Sequence, residues 1–235
     1  MITIHQLCYN EALILEFAFN FYKSRFPNAK FILHDNQSTD GSLELAKRLG
    51  YEIHQFSTNN QMDDSYLLNL RESCWKNDET DWVLVADMDE LININQNDLI
   101  LEEQLGSSVI LTYGFQMVNL SQNIDLDATN YGFRDDALYD KSLIFNKKSI
   151  SNMNWSVGSH SCNPSGTVQF SVNRYNLLHF KYLSEDYIVN RYKELRERQS
   201  QINVNNLWSV HYNILEEQLR QKFRDFKNKA LIKLL

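Results

Sequence analysis

Asp87 and Asp89 flank a single residue directly after the apolar run Trp82-Val83-Leu84-Val85-Ala86. Two hard oxygen donors so close together suit a divalent cation, and a cation held there suits a diphosphate, whose charge it offsets. An isolated pair of this spacing more often only solvates a turn. Here three other polar runs follow apolar ones: Cys8-Tyr9-Asn10-Glu11, Asp35-Asn36-Gln37-Ser38-Thr39-Asp40-Gly41-Ser42 and Ser57-Thr58-Asn59-Asn60. Asp40 and Ser42 are explained as helix caps. Asp35 is not, and a carboxylate at a strand edge can accept hydrogen bonds from a base or a ribose.

The elements that carry these runs alternate. Ile2 to Leu7, Phe31 to His34, Glu52 to Phe56 and Trp82 to Ala86 read as strands; Leu13 to Phe26, Ser42 to Leu49 and Ser65 to Trp75 have helical spacing. This βαβ pattern predicts an α/β fold with a mainly parallel central sheet. Right-handed crossovers then place every strand's C-terminal end, and so every polar run, on one edge.

Beyond Glu90 the pattern is mixed, with strand candidates at Val109 to Phe115, Ser142 to Phe145, Val168 to Val172 and Leu177 to Phe180. Two helices are expected after Ser184, roughly Ser184 to Arg198 and Ile214 to Leu235. The expected organisation is a domain over 1–183, with a ligand-binding half at 1–92 and a second half at 93–183, and a C-terminal helical extension at 184–235.

The 235 residues are 43% hydrophobic and 23% charged, the composition of an ordinary globular chain. A net charge of -7 argues against broad nucleic-acid binding, which needs a basic footprint. Cys8, Cys74 and Cys162 are odd in number and widely spaced, so neither a disulfide framework nor a cysteine zinc site is expected, and a reducing compartment is. The N-terminus has no basic leader, and Leu13 to Phe21 is broken by Glu16 and Asn20, so a cytoplasmic location is expected.

Tyr9-Asn10-Glu11 after a strand, the run from Asp35 to Ser42, and Trp82 to Glu90 together resemble glycosyltransferase family 2 and its relatives. Leu178-His179-Phe180, followed by Ser184-Glu185-Asp186-Tyr187, resembles that family's late His-aromatic segment. The resemblance is fullest over residues 1 to about 92 and patchier to about 192. It implies the GT-A (Rossmann-like) fold, with a mixed, mainly parallel sheet flanked by helices and followed by C-terminal helices.

It also implies a Mn²⁺- or Mg²⁺-dependent inverting transfer from a nucleotide-sugar, by family habit a UDP-sugar, to a glycan or lipid-linked glycan in surface polysaccharide or lipopolysaccharide assembly. Cys8, Tyr9, Asn10, Glu11, Asp35 and Ser38 would lie at the nucleotide, Asp87 would approach the ribose or the metal, and Asp89 and His179 would hold the metal. An inverting transfer needs a base for the acceptor hydroxyl. The family's mid-domain Glu-Asp pair has no clear match; Asp136, of Asp135-Asp136, and His160 are the candidates.

Lys141 and Arg134 could pair with a diphosphate, though most such residues are solvated. Trp155 and Tyr139 could stack on an acceptor sugar or lie buried. The last helix, Glu216 to Leu235, is amphipathic and locally basic; it could meet an anionic inner membrane surface or a partner, and an ordinary surface helix is favoured over both. A haloacid-dehalogenase-like phosphohydrolase and a nucleotide-sugar or glycan-binding module without turnover are the competing readings.

Overall fold

The computed structural model describes residues 1–134 and 137–235. Four strands, β1 (Ile2–Cys8), β2 (Lys30–Asp35), β3 (Glu52–Gln55) and β4 (Trp82–Asp87), lie side by side in the order β3-β2-β1-β4 and run parallel. Between them the chain returns through α1 (Ala12–Arg25), α2 (Ser42–Leu49) and α3 (Asp64–Ser73). All seven elements stand where the sequence periodicity puts them, with ends shifted by a residue or two. Register aligns Cys8 with Asp35, Leu7 with Asp87 and Asp35 with Gln55, so the polar runs do share one edge.

The later elements are β5 (Glu90–Asn93), α4 (Gln96–Gln104), β6 (Val109–Val118), β7 (Tyr131–Phe133), β8 (Ile144–Asn146), β9 (Ile150–Asn152), β10 (Ser165–Gly166) and β11 (Phe170–Tyr182). They are followed by α5 (Glu185–Glu197), α6 (Gln201–Asn205), α7 (Glu216–Lys227) and β12 (Ile232–Lys233). β8 adds antiparallel to β4, making the sheet mixed. β11 runs parallel to β6 and antiparallel to β5, aligning His179 with Glu90.

Two expectations need correction. The separate strands at Val168 to Val172 and Leu177 to Phe180 are the single strand β11, held continuous by β6 across two register shifts. The final helix stops at Lys227, and Ile232 and Lys233 pair with β7 instead. An edge strand offers unpaired backbone groups, and the terminal residues satisfy them.

Ile2, Ile4, Leu33 and Leu84 face α1 and α2, while Leu7, Val83 and Val85 pack with Trp75, Phe145 and Trp155. Each such side chain contributes roughly 1.5–3 kcal/mol by leaving water. In α7, Leu219, Phe223 and Phe226 are buried against Val118, Phe133, Tyr182 and Ile188. Arg220 and Arg224 of the same helix pair with Glu185 of α5, so the amphipathic face meets the core and part of the basic surface is neutralised. Among the described residues no helix is long and apolar enough to cross a membrane.

Candidate active site

At the C-terminal edge of the parallel strands, three loops are stitched together by side chains. Ser38 Oγ accepts from Asn10 N, Asn10 Oδ1 accepts from Thr39 N, and Glu11 N donates to Ser42 Oγ. Asn36 binds Thr58 in the loop after β3. Asn10 and Gln37 adopt left-handed backbone, which Asn tolerates better than most residues. Asp40, rather than Ser42, caps the turn into α2 by accepting from Ser42 N at 3.0 Å.

Above these loops opens a cavity of about 970 Å³, lined by residues from both halves of the chain. Cys8, Tyr9, Glu11, Asp87, Asp89, Lys141, His160 and His179 all line it. Asn10, Asp35 and Ser38 do not. Asp35 is fully buried below the floor, where it accepts from Ser38 N and, at 3.4 Å, from Gln55 Nε2. The carboxylate read as a base or ribose contact therefore braces the loop in this structure. Asp136 lies outside the described residues.

Asp89 and His179 meet across the β5–β11 pairing, with Asp89 Oδ2 3.3 Å from His179 Nε2. Burial works against the Asp89 charge. The His179 ring, Arg191 and Lys181 overcome it and hold the carboxyl well below the usual carboxylate range. Donors this far apart match neighbouring ligands of one ion held at about 2–2.3 Å from each, so the pair fits the implied divalent cation.

Asp87 is differently engaged: its carboxylate binds the guanidinium of Arg71, a buried residue that also lines the cavity. Among the described residues, only His5, His34 and Cys74 form a group of three ligand atoms mutually within 4.8 Å. Asp87, Asp89 and His179 therefore do not close into a three-donor cluster.

Lys141 is buried and ion-paired with Glu90, which places it against the protein's own carboxylate rather than in solvent. Beside this pair His160 donates Nδ1–H to the carbonyl of Leu138 at 2.8 Å, since a carbonyl can only accept. Burial and then the Lys141 charge lower the pKa of His160, leaving Nε2 as the basic atom. Tyr139 sits between the His160 and His179 rings, at 5.9 and 5.1 Å. Trp155 is a core residue whose Nε1–H donates to Ser142 O. Arg134 pairs with Asp140 at 2.6 Å and does not line the cavity.

Residues from 187 to 222 roof the cavity, a contribution that motif reading missed. Arg191 of α5 donates to Glu11, to Tyr9 O and to Glu194, pinning the extension to the loop after β1. Its guanidinium remains charged because Glu11 and its neighbours outweigh the cost of burial. Arg198 stacks 3.1 Å over the Tyr9 ring. Asn203 exchanges two hydrogen bonds with Asp64, and Ser209 Oγ adds a third at 3.1 Å.

Lys181 also faces the cavity, and the alternation Leu178-His179-Phe180-Lys181 was the available signal: odd positions face the cavity while Leu178 and Phe180 are buried. Arg71 and Arg191 left no such sign, because basic residues on helices are usually solvated.

No family model and no curated protein sequence matches this chain. Solved structures match nearly its whole length. S. aureus TarS is 15% identical at a TM-score of 0.45, over 95% of this chain and 43% of that one. The S. aureus TarS 1-349 complex with UDP-GlcNAc is 14% identical at 0.46, over 95% and 71%. The mannosyltransferase PcManGT from Pyrobaculum calidifontis, in complex with GDP-Man and Mn²⁺, is 10% identical at 0.44, over 95% and 73%. The chain thus spans less than half the length of the full TarS chain.

Proposed function

We propose that this protein is a metal-dependent glycosyltransferase that moves a sugar from a nucleotide-diphosphate donor, preferably a UDP-sugar, to a glycan or lipid-linked glycan hydroxyl with inversion. The observation that carries the reading is the cavity itself. It lies at the C-terminal edge of parallel strands, where open α/β sheets bind ligands, and sets Asp89 and His179 near Lys181 and Arg198, with Arg71 and Arg191 already paired to Asp87 and Glu11. Such an array suits a diphosphate better than a neutral ligand. The motif resemblance to family 2 supplies the reaction.

Asp89 and His179 would hold the divalent cation, which when bound offsets the charge that develops on the leaving diphosphate. Lys181, which lines the cavity near Asp89, would face the diphosphate, while Arg191 is matched by Glu11 and Glu194. His160, neutral with Nδ1–H committed to Leu138 O, presents Nε2 to take the proton of the acceptor hydroxyl as it attacks the anomeric carbon. The roof from Trp208 to Ile214 narrows the approach of water, which would otherwise compete as acceptor. Asp87, tied to Arg71, is poorly suited to the nucleophilic role of a phosphohydrolase.

The direct test is thermal stability with UDP and other nucleoside diphosphates, with and without Mn²⁺, on the unaltered protein and Asp89→Asn, followed by UDP-release assays with UDP-sugars. A Mn²⁺-dependent rise in Tm with one nucleotide, absent in Asp89→Asn, is expected. No stabilisation by any nucleotide would remove the reading.

A further inference from the structure

We propose that His5, His34 and Cys74 form a second metal site, suited to Zn²⁺, between the central strands and the end of α3. His5 Nδ1 and His34 Nε2 are 2.9 Å apart, and the three ligand atoms lie mutually within 4.8 Å. Both rings are buried, and Cys74, the residue that caps α3, is a free thiol.

Asp78 supplies the feature expected around a metal-bound imidazole. Its Oδ2 lies 2.7 Å from His5 Nε2, so it takes that N–H and leaves Nδ1 turned toward His34 as a lone pair. The donor set N, N, S is borderline to soft and suits Zn²⁺, whereas the carboxylate–imidazole pair in the cavity also suits Mn²⁺ or Mg²⁺.

Charge and protons balance. Binding shifts the proton between the two rings from His34 Nε2 to His34 Nδ1 and displaces the Cys74 thiol proton, so one proton leaves as one Zn²⁺ enters. The ion's two positive charges are then met by the Cys74 thiolate and the Asp78 carboxylate, which leaves the buried site neutral. Three protein donors leave the fourth tetrahedral position to a water.

The ion would fasten β1 and β2 to the last turn of α3. Cys74 Sγ lies 3.8 Å from Arg71 O, and Arg71 is the residue that holds Asp87 at the cavity floor. This site would therefore steady the floor without touching substrate, and it does not depend on the reaction assigned to the cavity.

The experiment is Zn²⁺ and Co²⁺ titration of chelator-stripped protein, carried out in parallel on Asp89→Asn, Cys74→Ser and Cys162→Ser. One thiolate-bound equivalent should bind to the unaltered protein, Asp89→Asn and Cys162→Ser alike, with any further equivalent at Asp89 lost in Asp89→Asn. Co²⁺ should give a thiolate-to-cobalt charge-transfer band that Cys74→Ser lacks, with at least about tenfold weaker binding. Should Cys74→Ser fail to fold, alkylation of Cys74 in the unaltered protein decides: Zn²⁺ must slow it. A band unchanged by Cys74→Ser, a band lost in Asp89→Asn, or alkylation indifferent to Zn²⁺ would overturn the site and leave an Asp78–His5–His34 hydrogen-bond chain.

Discussion

His179 Nε2 stands 3.3 Å from Asp89 Oδ2, although the two residues are ninety positions apart. Their backbones are locked as well, since Phe180 N donates to Asp89 O at 2.8 Å beside the His179–Glu90 register. This pairing joins the acidic motif of the first half to the late histidine of the second.

If the pair holds the cation, His179→Ala should lower transfer at saturating donor by roughly 100-fold while the fold survives. UDP-release kinetics and circular dichroism check this. Full activity in the variant would exclude His179 from the site.

The acid limb of kcat/KM should belong to His160. Its folded pKa is depressed below the usual value near ~6.5, so the base stays deprotonated in mildly acidic buffer and the rate falls only below that point. Stability has the same sign: the unfolded ring takes up a proton first as pH drops, so this contribution is lost on acidification from ~6.5 downward. His160→Gln should slow transfer and flatten this limb; a pH–rate profile that keeps the limb would reassign the base.

Arg71→Leu leaves the Asp87 carboxylate without its partner. Because that side chain is 38% exposed, solvent softens the loss, and about 1–3 kcal/mol is expected rather than the full cost of breaking a buried pair. Urea denaturation measures it.

Gly114 on β6 is packed directly against Tyr139, where an added Cβ would collide with that residue's Cβ and carbonyl. Gly114→Ala should destabilise the protein by about 1–3 kcal/mol. It should also displace Tyr139 from between the two histidines and raise KM for the acceptor, separably from the donor's.

The roof is fastened by Asp64. Asn203→Ala removes both of its hydrogen bonds with Asp64, and Leu207 and Ser209 in left-handed backbone store strain nearby. Faster limited proteolysis between 205 and 215 and a weaker donor KM are expected. An unchanged cleavage rate would show that the clasp is dispensable.

Sequence by itself determined the parallel βα half and the edge on which its polar runs gather, because helix and strand periodicities are written within windows of ten to eighteen residues. The resemblance to family 2 added Asp89 and His179, and the need for a base added His160; all three line the cavity. Tertiary structure alone decided how the polar residues are used. Asp35, Asn10 and Ser38, read as nucleotide contacts, are consumed by bonds between loops, and Lys141 is matched to Glu90. Arg71, Lys181 and Arg191 acquire their places only when α3, β11 and α5 close around one cavity. A side chain's partner depends on which distant strand or helix packs beside it, and local periodicity carries no record of that choice.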